Sequence, residues 1–388
     1  MTTDTGKNAL YCGDPPMRLA NLFRRDPAGG YAALFQDRSV FWSFNTRVAI
    51  RAACDLLDLQ PGDEVLVPAY NCGSEVDPLI DAGLSVLQYP VAENLCADPE
   101  RIAPLITERT RAIYVTHYFG VIQPALAELR ALCDRHGLRL IEDCALSLLS
   151  GTSPADGRTG DVSVFCFYKF LPVLGGGALV INAPDLTTAN PFSRPAPHKR
   201  VAKTLARTGL VNVLGPQRIK GLKQALRGSD QVEPQAGRAD GQLEDIPWHY
   251  YFDPTLRNAR MSFFASRPLQ AFSVSQAIAI RRSNWERYRD LLEGMPGIQM
   301  LVPALAPSTC PLNMPVMVDD RDRIVQRLQD RGIGATPWWA GFNRNLGWTG
   351  QEEAMAIKDR TLTLPLHQYL SEAHVDHIVS ELKDALSV

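Results

Sequence analysis

The chain has no Cys-x-x-Cys pair and no cysteine–histidine spacing of the metal-binding kind. Its eight cysteines (Cys12, Cys54, Cys72, Cys96, Cys133, Cys144, Cys166 and Cys310) are scattered over 388 residues. This argues against a zinc ribbon or a disulfide scaffold and for reduced cytoplasmic thiols, with no metal expected. No apolar run reaches the roughly 18 residues of a spanning helix, so no membrane span is expected. The N-terminal stretch MTTDTGKNALYCGDPP lacks the apolar core of a secretory leader. Excess charge is missing too. Lys+Arg 40 against Asp+Glu 42 leaves a formal net charge of -2, which gives no global drive toward nucleic acid or an anionic membrane. Internal repeats and low-complexity tracts are absent. With 45% hydrophobic and 21% charged residues the composition is ordinary for a globular protein, and the length suffices for a large domain plus a smaller one.

What is present is alternation. After a mixed segment over 1–40, with turn signals at Asp14-Pro15-Pro16 and Gly29-Gly30, apolar Val48, Ile50, Ala53, Leu56 and Leu57 fit an amphipathic helix. Asn45 or Thr46 is its natural N-cap. Strands are predicted at 64–67, 84–89, 113–116 and 138–142, and helices at 71–82 and 124–136, the latter closed by Gly137. Repeated strand–helix units imply an α/β fold with a mostly parallel sheet covered on both faces. In such sheets ligands bind beyond the carboxyl ends of the strands, where His117 and Asp143 fall and where the helix start at Asn45-Thr46-Arg47 is close.

The pattern breaks from about 184 to 244. Residues 198–227 carry eight lysines and arginines and no acid, with apolar Val201, Leu205, Leu210 and Val213 between them. One reading is a solvated helical face of an insertion, another a basic surface for an anionic partner. A polar loop is expected at 228–241. Beyond 260, a helical stretch at 269–292, an apolar segment at 312–318, helices at 321–331 and 372–386, and a loop or strand at 361–367 interrupted by Pro365 suggest a small α+β domain. The division expected is therefore 1–255, with the basic insertion, and 256–388.

Residues 140–180 concentrate the chemistry. Asp143 ends an apolar run. Lys169 lies among Phe165, Phe167, Tyr168 and Phe170, ahead of Gly175, Gly176 and Gly177. A lysine amine and a carboxylate are what an aldehyde cofactor such as pyridoxal 5'-phosphate (PLP) requires. The aromatic setting predicts a desolvated amine with a lowered pKa. The plainer readings are a helix cap for Asp143 and a snorkelling side chain for Lys169. Asn45-Thr46-Arg47 is a phosphate cradle or a simple cap. His117 is a ring partner or a structural histidine, and Trp338-Trp339 a pocket wall or core.

Taken together these segments resemble the DegT/DnrJ/EryC1/StrS family of PLP-dependent sugar aminotransferases. The landmarks are residues 61–68 (PGDEVLVP), 117–120 (HYFG), 135–138 (RHGL), 141–143 (IED), 160–162 (GDV), 176–178 (GGA), 258–262 (NARMS), 331–334 (RGIG) and 364–367 (LPLH). The resemblance implies a seven-stranded sheet between helices. It implies that Asp143 pairs with the pyridine nitrogen, that Lys169 forms the Schiff base and shuttles the proton, and that Thr46 and Arg47 cradle the phosphate. It places His117 near the cofactor and has Asn258 reach the phosphate from a second subunit, which makes a homodimer. The implied reaction takes an amino group from glutamate or glutamine to a keto sugar, a nucleotide-linked one. The chain departs from the family at Cys72, where an aromatic residue usually stacks on the ring, at Leu146, where Gln or His usually bonds the phenolic oxygen, and at Cys166, where serine usually binds phosphate. Ser147 or Ser163 is a candidate to compensate. These departures keep two alternatives open: PLP-dependent elimination, replacement or cyclisation, and a non-catalytic relative that binds a ligand or partner.

Overall fold

The Asn45 side chain accepts from Val48 N at 3.0 Å, and this cap starts α1 (Thr46–Leu56), whose Val48, Ala49, Ile50, Ala52 and Ala53 are buried. A computed structural model of the chain describes residues 11–23, 34–35, 38–151, 156–214 and 243–387. The strand–helix alternation folds into one seven-stranded sheet of β1 (Ser39–Ser43), β2 (Glu64–Pro68), β3 (Ser85–Tyr89), β4 (Thr110–Thr116), β5 (Arg139–Asp143), β6 (Val162–Cys166) and β7 (Gly177–Ile181). The spatial order is β1-β7-β6-β5-β4-β2-β3. From β3 to β6 the pairs are parallel; β7 runs antiparallel to both β6 and β1.

Strands buried on both faces read as continuous apolar runs, and β2 and β6 are buried at every position. Alternate residues separate into two cores. Leu66, Ile113, Val115, Leu140 and Phe165 join one; Val65, Val67, Tyr114, Ile141 and Val164 join the other, with α1. The other helices of this part are α2 (Asp77–Asp81), α3 (Pro99–Ile102), α4 (Leu126–His136) and α5 (His198–Leu214). Gly137 closes α4 in the left-handed region at φ 65. The further chain forms α6 (Phe263–Ser266), α7 (Val274–Leu292), α8 (Arg321–Asp330), α9 (Glu352–Arg360) and α10 (Glu372–Leu386). These accompany an antiparallel sheet of β8 (Gln299–Met300), β9 (Met314–Met317), β10 (Thr336–Pro337) and β11 (Thr361–Leu364), ordered β10-β11-β9-β8. Tyr11 reaches this second sheet's region by a bridge to Ile333.

Two expected elements differ. The helix predicted over 71–82 begins only at Asp77. Before it, Gly73 sits at φ 81 and the carbonyls of Tyr70, Asn71 and Gly73 go to side-chain donors instead of a helical ladder. The stretch 269–292 is interrupted at Phe272, because Pro268 lies in a separate 3-10 turn and α7 starts afresh after Ser273. As expected for 361–367, the strand is interrupted at Pro365: β11 stops at Leu364. In the basic insertion, α5 covers 198–214 with no buried residue. Residues 215–227, the expected loop at 228–241 and the Gly29-Gly30 turn lie outside the described residues. Among the described residues no helix is long and apolar enough to cross a membrane.

Candidate functional site

Parallel register sets Asp143, the last residue of β5, opposite Thr116, the last of β4. The Asp143 carboxylate is 4% exposed. Its Oδ2 accepts from the Tyr114 hydroxyl at 2.7 Å and its Oδ1 from Ala145 N at 2.8 Å. A carboxylate offers about four lone-pair sites, so an acceptor position remains for one more N–H. Burial and the adjacent Asp143 push the Tyr114 phenol well above its ordinary range, so it stays a donor.

Lys169 lies in the turn after β6 and is half-buried. Among the described residues its amine makes no hydrogen bond or ion pair. Its pKa is raised, not lowered as the aromatic neighbours predicted. Burial alone would lower it, but Cys166, Cys72, Asp143 and Glu75 together outweigh burial and hold the ammonium. Burial raises both thiols and keeps them neutral, so the two carboxylates are the negative charges that matter. Glu75 is buried and accepts from Cys72 N at 2.7 Å; burial and Asp143 raise its pKa.

The third component is the N-terminus of α1. Gly175 and Gly176 turn the chain at φ 94 and 92, and Gly177 lies so close to α1 that a Cβ there would stand 2.7 Å from Thr46 N. Thr46 Oγ1 donates to Phe165 O at 3.1 Å, beside Cys166 at the end of β6. The main-chain N–H groups of Thr46 and Arg47 are left without partners among the described residues, as in an anion-binding helix start. Arg47 points elsewhere: its Nη1 reaches the carbonyls of His249 (2.9 Å), Tyr250 (2.5 Å) and Tyr251 (2.9 Å), which ties α1 to that turn.

The other candidates border this cluster; His117 N donates to Asp143 O at 3.1 Å. His117 is fully buried. Its Nε2 bonds Glu142 Oε2 at 3.0 Å and its Nδ1 accepts from Gln123 N at 3.1 Å, so neither ring nitrogen is free for a ligand. Glu142 sits beside Asp143, and alternation turns its side chain to the opposite face of β5. The Cys144 thiol completes a buried group with ligand-type spacing, but burial and Glu142 push it well above its usual range, which favours a neutral thiol. Ser147 is buried in the turn after β5, next to the Cys144 thiol, and Ser163 Oγ is committed to Gly157 O at 2.7 Å. Asn258 is exposed at φ 60. Its neighbour Ala259 accepts from Phe44 N at 2.8 Å, which brings 258–261 alongside the strand that leads into α1. Trp339 packs on Tyr70 (5.1 Å between ring centroids) and Trp338 on Phe119 (5.5 Å).

Sequence reasoning missed Tyr114, Glu75, Tyr250 and Lys358. Tyr250, whose phenol is raised mainly by desolvation, lies within electrostatic reach of Cys72, Lys169, Asp14 and Arg47. A phenol inside an otherwise apolar strand, two residues from its end, was the available signal for Tyr114. Glu75 was visible as an acid in a segment of small and apolar residues.

A half-buried lysine and a buried carboxylate at the carboxyl ends of parallel strands, beside an open helix start, define an α/β enzyme with an amine-and-carboxylate centre. The fold agrees: the aminotransferase TlmJ from Streptoalloteichus hindustanus superposes with a TM-score of 0.67 at 21% identity, over 98% of this chain and 99% of that one. Residues 34–199 and 265–383 match the DegT/DnrJ/EryC1/StrS aminotransferase family, and the chain belongs to it. Among curated relatives, it is 25% identical to the dTDP-4-dehydro-2,3,6-trideoxy-D-glucose 4-aminotransferase of Saccharopolyspora spinosa over 361 residues (90% of this chain, 85% of the relative). It is 33% identical to the GDP-perosamine synthase of Vibrio cholerae over 145 residues (37% of this chain, 39% of the relative).

Proposed function

We propose that this enzyme is a PLP-dependent aminotransferase that moves an amino group from glutamate or glutamine to a keto sugar carried on a nucleotide. What supports this reading is a lysine, Lys169, within electrostatic reach of a buried strand-end carboxylate, Asp143, in a chain of this family. The residues fit the cofactor: Asp143 keeps an acceptor position at the strand ends, and the Thr46 and Arg47 N–H groups suit a phosphate dianion, while the Thr46 hydroxyl is committed to Phe165 O. PLP, when bound, supplies an aldehyde carbon and a ring that accepts an electron pair while its nitrogen is protonated. Asp143, oriented by Tyr114 and Ala145 N, holds that proton in place. Lys169 must release a proton from its ammonium before its nitrogen can act as nucleophile, and Glu75, Asp143 and Asp14 are carboxylates within electrostatic reach that bias this step. As a neutral amine, Lys169 would be the base that takes a proton from substrate carbon and returns it.

The rest of the reading goes with it. Residues 1–255 carry Lys169 and Asp143, and 256–388 supply the second body with Trp338, Trp339 and Lys358. Trp248 (83%) and Phe263 (68%), on either side of Asn258 in sequence, are large exposed apolar side chains of the kind a second copy would cover, which supports a homodimer with shared sites. Eight free cysteines suit a reducing cytoplasm.

The test is spectroscopic and then chemical. PLP added to the purified protein should produce a visible absorbance band that borohydride bleaches and that Lys169→Ala abolishes. Glutamate or glutamine alone should then convert the cofactor to its amine form, and a nucleotide-linked keto sugar should convert it back. No band in cofactor-saturated protein would overturn the reading. A band without donor-dependent amine transfer, but with loss of a substrate hydroxyl, would favour the elimination reading that Cys72 and buried Leu146 keep open.

A further inference from the structure

The backbone of 70–73 is held by three side chains from distant parts of the chain. The Tyr118 hydroxyl donates to Tyr70 O at 2.7 Å, Lys358 Nζ to Asn71 O at 2.6 Å, and Asn343 Nδ2 to Gly73 O at 2.9 Å. All three donors are buried, at 2%, 0% and 0% exposure. The Asn71 side chain closes the turn on the carbonyls of Pro68 (2.9 Å) and Ala69 (3.1 Å). Gly73 is packed so tightly that a Cβ would lie 3.0 Å from Asn343 and 3.1 Å from Ile246.

Lys358 is the unusual member. A fully buried ammonium is costly unless it is paired, yet among the described residues this one has a single oxygen acceptor. Its other neighbours are the rings of Phe342 and Trp348, each 5.2 Å from Nζ and set edge-to-face at 89° to one another. Cation–π attraction at both faces offsets part of the cost. Helix α9, which carries Lys358, is anchored in turn by Arg321 donating to Lys358 O.

We infer that Lys358 is a positioning residue of the candidate active site: with Asn343 and Tyr118 it fixes the backbone of 70–73, and so sets Cys72 and Glu75 beside Lys169. The inference rests on the proposed function for the role of Lys169 and goes beyond it by assigning work to a residue that touches neither Lys169 nor any reacting atom. Glu75, whose Oε1 accepts from Cys72 N at 2.7 Å, is tied to this turn and is one of the carboxylates that hold the Lys169 ammonium, so a shift of the turn alters the amine's protonation. The charged and titratable groups facing Lys358 are Cys72 and Glu75 from the turn, Arg321 from α8 and Asp359 beside it.

The test uses Lys358→Met, which keeps an unbranched stem between the two rings, and Lys358→Arg, which restores a cation. Tyr118→Phe removes a second donor at nearly constant volume. In cofactor-free protein, amide exchange of 70–75 should quicken about ten-fold in Lys358→Met and in Tyr118→Phe, while exchange in β4 and β5 stays unchanged. In PLP-loaded protein, the pH midpoint of the visible band should shift in Lys358→Met. Its kcat should fall about ten-fold at nearly constant KM, with partial return in Lys358→Arg. Unchanged exchange at 70–75, or a uniform quickening across all strands with an unmoved band, would overturn the inference. If wild-type protein forms no band with PLP, the functional reading fails while the exchange measurement still decides whether Lys358 positions the turn. If Lys358→Met does not fold, Tyr118→Phe decides the same question.

Discussion

The Tyr114 hydroxyl stands 2.7 Å from Asp143 Oδ2 and donates to it from the neighbouring strand. Tyr114 lies two residues before the end of β4, so its ring fills the core while its oxygen rises to the strand ends where Asp143 stands. The pair is a built support for one carboxylate, and it makes Tyr114 the first place to perturb the site without touching it.

Tyr114→Phe should keep the fold and lose part of the chemistry. A hydrogen bond to a charged group is worth about 1.5–3 kcal/mol, so kcat should fall roughly ten-fold to a hundred-fold. Steady-state kinetics beside thermal melting would check this; a melt lowered by many degrees with unchanged kcat would make Tyr114 structural only.

Asp143→Ala should fold and show no turnover, because the cofactor ring then lacks the carboxylate that keeps its nitrogen protonated. Near-normal turnover in that variant would refute the role given to Asp143.

Much of this arrangement was legible locally. Asn45 caps α1 through a bond to Val48, three residues on, so composition alone exposed it. Asp143 was visible because a parallel strand buried on both faces is an apolar run, and an acid at its end stands out. What stayed hidden depends on distant partners. The charge state of Lys169 follows from Glu75 and Asp143, 94 and 26 positions away in sequence, not from the flanking phenylalanines. The 71–82 segment read as helix because its apolar spacing is helical, while the donors that unwind its start come from residues 118, 343 and 358. Arg47 read as a phosphate ligand from its place at a helix start, but three carbonyls of 249–251 take its guanidinium.

Gly120→Ala should be among the costlier single substitutions. Gly120 sits at φ 98, and an added Cβ would overlap the carbonyl oxygen of Cys310, which is backbone and cannot swing aside. Strain and overlap together predict a loss of about 2–4 kcal/mol, read as a lower denaturation midpoint at unchanged slope. A shift below a few tenths of a kcal/mol would show that the turn yields.

His367 should set part of the acid limit. It is buried, and burial followed by the nearby Arg281 lowers its pKa to about 3. Between that value and its unfolded value near 6.5 the unfolded chain binds the extra proton, so stability is present above the unfolded pKa and is lost as pH falls toward the folded one. Each unit of separation is worth ~1.4 kcal/mol. His367→Gln should therefore lose less stability than wild type between about pH 6.5 and 4. Parallel denaturation curves across that window would exclude the contribution.

Lys358 carries the opposite limb, and here stability and positioning separate. Burial lowers its pKa to about 8, with Cys72 and Glu75 opposing the drop. The unfolded chain's lysine titrates near 10.4, so between about pH 8 and 10.4 the unfolded state binds more protons and this group makes stability rise with pH. Below 8 both states are protonated and the cost of burying the ammonium is borne in full, on the order of 3 kcal/mol relative to high pH. Lys358→Met removes that cost, so its stability advantage over wild type, or its smaller deficit, should be largest near pH 7 and shrink toward pH 10. Other groups that titrate at high pH are common to both proteins and cancel in the difference. A residue kept for stability alone would not be a buried cation that opposes folding at neutral pH. Lost turnover in Lys358→Met at pH 7, without lost stability, would therefore tie the cation to the placement of Cys72 and Glu75. A pH-independent stability difference would show that the ammonium is not depressed and remove this argument.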